Sequence, residues 1–66
     1  MRDDRLEELR AQLEGIAEEL AALGYGTLKE AIETGDAEAA ATERRLGRAR
    51  RSVLKAAALL AGGDDA

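Results

Sequence analysis

Along the first third of the chain, leucine or isoleucine returns every three or four residues: Leu6, Leu9, Leu13, Ile16, Leu20 and Leu23. Written as a heptad abcdefg, Leu6, Leu13 and Leu20 fall at a, and Leu9, Ile16 and Leu23 at d. Almost only Glu, Asp, Arg, Gln and Ala lie between them. So narrow a stripe predicts an amphipathic helix packed along one seam. The helix is expected from about Asp3 to Leu23. Asp3, Asp4, Glu7 and Glu8 crowd its first turns, where carboxylates complement the positive end of the helix dipole. Gly24, just past the last periodic residue, reads as a helix stop, and Gly24-Tyr25-Gly26 as a short turn.

Thr27-Leu28-Lys29-Glu30 then has the capping-box form, Thr at the N-cap and Glu three residues on. It predicts a short helix from Leu28 to about Thr34. Gly35-Asp36 follows, with Gly as a stop and Asp as the next N-cap. A third helix is expected from about Ala37 to Ala61, ending at Gly62-Gly63 and leaving 62–66 as a frayed tail. The three-four ladder continues from Leu28 to Leu60 across Gly35, so spacing alone also allows one kinked rod. The paired stop and cap favour a break. In the third helix the d positions, Gly35, Thr42, Ala49 and Ala56, are small where the first helix has large residues. Large facing small permits close approach, and the short connection predicts an antiparallel hairpin.

One hairpin does not use all the apolar surface. Leu54, Ala57, Ala58, Leu59 and Ala61 lie off the seam of the third helix, and Ala17, Ala21 and Ala22 off that of the first. A helix apolar nearly all round is buried against something. The expectation is a homodimer completing a four-helix bundle, with Leu54, Ala58, Leu59 and Ala61 at the interface.

Composition supports this. A chain of 66 residues makes one domain at most and needs a staple or a partner. With no Cys there is no disulfide, and with neither Cys nor His a structural zinc is not expected, since carboxylates alone rarely hold that ion. Oligomerisation is the remaining device. Proline is absent, Tyr25 is the one aromatic residue, and β-branched residues are few, so the fold class is all-α with coiled-coil-like packing. Tyr25, between glycines, reads as an aromatic lid over the bundle end. The amino terminus lacks the apolar run of a signal peptide, and no window is apolar for long enough to span a membrane. These features predict a cytoplasmic protein.

The net charge of −4 disfavours general nucleic-acid binding, but charge is unevenly placed. Residues 1–23 carry three Arg against seven acids, whereas residues 36–51 carry five Arg against three acids. Arg44, Arg48, Arg51 and Lys55 are spaced i, i+4, i+7 and i+11, which lines them along one helical face about 16 Å long. Arg45 and Arg50 flank them. This stripe is a candidate site for a phosphate or an acidic partner helix. It reads more readily as a solvated face with intramolecular pairing, Glu19 meeting Arg45 across the hairpin. The same register sets Arg10 opposite Arg50, a like-charge contact that Glu14 or Glu43 could neutralise. No aromatic residue is at hand to stack a base.

Catalytic chemistry lacks its parts. Ser52 is the one serine, and without His or Cys no triad or dyad can form. The acidic residues sit at neither a nor d of the first helix and have no Glu-x-x-His companion, so no di-metal bundle site is expected. No cofactor is called for. Leu6–Leu13 resembles the opening helix of helical chorismate mutases, but the later Arg and Lys pattern of that family is absent. Ala31–Ala40 resembles the inter-helix turn of a tetratricopeptide repeat, a family built from several repeats where one such turn is present here. Neither resemblance assigns the chain. The reading is a non-enzymatic interaction, adaptor or regulatory protein acting as a homodimer with a charged face for a protein partner. The alternative is an anion-binding regulator whose Arg stripe takes nucleotide or nucleic-acid phosphate.

Overall fold

Among the described residues the chain reverses direction once, at Gly35-Asp36, between α1 (Asp4–Thr34) and α2 (Ala37–Leu60). The two helices pack against each other as an all-α hairpin. The structure, a computed structural model, describes residues 4–62; the expected helix start at Asp3 and the tail from Gly63 to Ala66 lie outside them.

The expected turn at Gly24-Tyr25-Gly26 and the separate short helix from Leu28 to Thr34 are not formed. α1 runs straight through them for 31 residues. Thr27 does not cap a new helix. Its hydroxyl donates to the Leu23 carbonyl four residues back, at 2.8 Å, as a threonine inside a helix does. A glycine costs a helix about 1 kcal/mol relative to alanine but ends it only when it turns left-handed. Among the described residues that happens at Gly35 (φ 69) and Gly62 (φ 84), and not at Gly24 or Gly26.

Gly35 is therefore the true stop of α1, and the chain breaks there rather than kinking. Its N–H donates to the Ala31 carbonyl at 2.8 Å. The Thr34 hydroxyl donates to the Glu30 carbonyl at 2.9 Å and accepts the Asp36 N–H at 3.1 Å. The Asp36 carboxylate accepts the Glu38 N–H at 2.9 Å and caps α2. α2 ends in the same manner, with the Gly62 N–H donating to the Leu59 carbonyl at 3.0 Å.

Moving the reversal to Gly35-Asp36 shifts the register of the hairpin. Gly24 now lies level with Leu46, whose Cβ would be 3.9 Å from a Cβ added to that glycine. Arg50 borders Leu20 and Ala21 instead of facing Arg10. The contact line is rotated as well. On α1 it follows Leu13, Ala17, Leu20, Gly24, Thr27 and Ala31, the a and e positions, all buried or half-buried. Alanine or glycine at each of those e positions lets α2 come close. The d residues Ile16 and Leu23, expected in the seam, are instead 45% and 60% exposed.

The hairpin buries little. Among the described residues only Ala17, Ala39 and Ala57 are buried. Tyr25, expected to cap the bundle end, is 76% exposed on the flank of α1, and Ile32, about two helical turns further on, is 74% exposed. The molecule is a slab whose backbone measures 51 × 22 × 11 Å.

Candidate functional site

All six cationic side chains singled out on α2 are exposed: Arg44, Arg45, Arg48, Arg50, Arg51 and Lys55. Helical periodicity brings four of them together. Arg44, Arg45, Arg48 and Arg51 line a shallow depression of about 500 Å³ with Ala41, Glu43 and Gly47. Gly47 is half-buried among them; a Cβ there would stand 3.8 Å from the Arg51 guanidinium. Lys55 does not line it, and Arg50 borders a different depression between the helices, with Tyr25 and Leu28.

Ion pairs among the described residues are confined to α1. Arg5 meets Glu8 at 2.9 Å, and Arg10 meets both Glu7 and Glu14, the latter at 2.7 Å. Hydrogen bonding from Arg10 holds the Glu7 carboxyl below its ordinary pKa, against a smaller opposing effect of desolvation. The same bonds raise the pKa of the Arg10 guanidinium. Glu14 pairs with Arg10, but the Arg10–Arg50 contact it was expected to neutralise is not formed, and the expected Glu19–Arg45 pair is absent among the described residues. The cations of α2 thus make no ion pair among the described residues.

Apolar side chains are exposed on more than one side of the hairpin. Leu54, Ala58, Leu59 and Ala61, the expected dimer contacts, are all exposed within the single chain. Tyr25, Leu28 and Ile32 border an apolar depression of about 310 Å³ together with Lys29 and Glu33. Sequence reading missed this second surface by breaking the helix at Gly24. Its signal was present in the i, i+3, i+7 spacing of the three residues, which puts them on one face of an unbroken helix.

Among the described residues there is no group of three or more His, Cys, Asp or Glu placed to hold a metal ion. No described helix is long and apolar enough to cross a membrane. No protein-family model, no curated protein and no solved structure matches the chain.

Proposed function

We propose that the protein is a non-enzymatic helical interaction module, a small adaptor or regulator, that works as a homodimer and offers a charged helix face to a protein partner. One observation carries the reading. Among the described residues three alanines are buried while eight large apolar side chains stay exposed, Ile16, Leu23, Tyr25, Ile32 and Leu59 among them. Helices in proteins owe most of their stability to burial of an apolar face. Burial is worth about 25 cal/mol per Å² of apolar area, and a second hairpin laid on this one supplies the missing area as a four-helix bundle. The cationic face of α2 points away from the α1 contact and stays available to an acidic partner.

Sedimentation equilibrium at micromolar concentration tests the dimer. The expected species has twice the 7.0 kDa chain mass. A folded species of 7.0 kDa would overturn the reading.

The arginine cluster supports a second reading, an anion-binding regulator, because four guanidinium groups share one depression around Gly47 without an ion pair among the described residues. With no aromatic residue beside it, such a site would take phosphate rather than read bases. The test is thermal melting of the parent and of the combined Arg44→Gln, Arg48→Gln and Arg51→Gln variant, with and without millimolar nucleotide. The adaptor reading expects both to fold and neither to shift with nucleotide. A stabilisation seen in the parent and lost in the variant would favour the anion site.

A further inference from the structure

We propose that the second copy docks on one particular broad face of the hairpin, the d flank, which carries Leu9, Ile16 and Leu23 on α1 and Thr42, Ala49 and Ala56 on α2. The inference rests on the homodimer reading above and names the surface it uses, in place of the flank of Leu54 and Ala58.

The side chains place this flank. Glu30 and Thr42 line one depression at the turn end of the hairpin, so they share a side of the molecule. Steps of seven residues keep to one side of a helix, drifting by only about 20° each. From Glu30 those steps reach Leu23, Ile16 and Leu9; from Thr42 they reach Ala49 and Ala56. Ile16, Leu23 and Ala49 are exposed there. The opposite flank is interrupted at mid-length, where Glu43 and Arg50 border the depression beside Ala21 and Tyr25. Between Leu9 and Leu23 the d flank carries no charge on its central line.

The face is complementary to itself. A two-fold axis parallel to the helices lays α1 of each copy over α2 of the other, antiparallel. Because Gly24 is level with Leu46, Ile16 then falls between Ala49 and Ala56 of the second copy, and Leu23 between Thr42 and Ala49. Large side chains enter gaps between small ones, as knobs enter holes. The rims agree in charge. Glu19 and Arg45, both at g just outside the d line, make no ion pair among the described residues. Across the axis they are offset by about 9 Å along the helices at 1.5 Å per residue, within reach of two long side chains. Size agrees too: a molecule 51 Å long and 22 Å wide has room on a broad face for the roughly 800 Å² per partner of a standard stable interface.

Cross-linking and charge reversal test the placement. The native chain has no Cys, so introduced thiols report alone. Chains carrying Ile16→Cys mixed with chains carrying Ala56→Cys should form disulfide-linked dimers readily under mild oxidation, and Ile16→Cys chains alone should not. A mixture of Ala21→Cys and Arg50→Cys chains, which reports the opposite flank, should stay unlinked. Glu19→Arg and Arg45→Glu chains should each dimerise several-fold more weakly than the parent, and mixing the two should restore the affinity. A dimeric parent that links through Ala21 and Arg50, or whose charge-reversed chains gain nothing on mixing, would overturn this face while leaving the homodimer reading intact. A monomeric parent in sedimentation would remove both.

Discussion

Arg10 is the side chain most engaged by its own helix, and its partners explain why it can sit half-buried beside the seam. Its Nε donates to Glu7 at 3.1 Å, and its Nη1 meets Glu14 at 2.7 Å. Carboxylates at i−3 and i+4 cover a guanidinium from both sides along one helical face. Glu7 is stabilised as its anion, so its pKa in the folded chain lies below the ordinary carboxylate value. The sign for stability follows from that direction. The contribution is fully present above the ordinary value of about 4.3 and is lost as pH falls through the lowered folded value. Replacing Arg10 by Gln should return Glu7 to the ordinary range, read from its carboxyl carbon shift against pH. A midpoint unmoved by the substitution would mean that Arg10 does not hold Glu7 in solution.

At the scale of elements, the glycines divide by backbone conformation rather than by place in the hydrophobic pattern. Gly15, Gly24 and Gly26 all keep helical backbone in α1, and a Cβ meets nothing closer than the 3.9 Å contact at Gly24. Gly15→Ala and Gly26→Ala should therefore each stabilise the fold by up to about 1 kcal/mol. Gly35→Ala should destabilise it by about 1 kcal/mol, because φ 69 is a left-handed geometry that a Cβ disfavours. Urea unfolding midpoints decide the matter, and a Gly35→Ala variant as stable as Gly15→Ala would mean that α1 does not end at Gly35. This division also explains what the sequence showed and what it hid. Both Gly24 and Gly35 follow a periodic apolar run and look alike as letters. What separates them is what comes next: Asp36 can cap α2 through Glu38, whereas Thr27 finds the Leu23 carbonyl and continues the helix. The all-α class, the hairpin and the break at Gly35-Asp36 were legible because they rest on local signals. The contact line was not, because it depends on how closely α2 approaches the small residues Ala17, Gly24 and Ala31, and that is a property of the pair. Spacing on one helix placed Arg44, Arg48 and Arg51 together, but not the inclusion of Arg45 or the absence of Lys55 from the depression. The apolar surface at Tyr25, Leu28 and Ile32 was hidden by the misplaced turn.

For the whole molecule, the thin slab sets the energetics. Fully burying a leucine or isoleucine is worth about 1.5–3 kcal/mol, yet Ile16 and Leu23 keep roughly half of their surface or more in water within one chain. Three buried alanines and a seam of half-buried residues such as Leu13, Leu20, Leu46 and Val53 offer little against the conformational entropy of ordering two long helices. Stability that comes from a second copy must follow mass action. Each tenfold dilution then removes about 1.4 kcal/mol per dimer, the free energy of a factor of ten. Unfolding entropy near 2.1 cal/mol/K per residue, taken over both chains, converts that to a drop of about 5 °C in Tm. Circular dichroism melts over a hundredfold range of concentration should show two such steps, with the helical signal weakening at the dilute end. The Ile16→Glu variant separates assembly from the fold of the single chain, since its side chain is exposed in the hairpin and at the centre of the proposed interface. It should melt well below the parent at high concentration and lose the dilution dependence. If the parent's Tm were flat across the range, each hairpin would have to stand on its own thin seam, and the homodimer reading would fail.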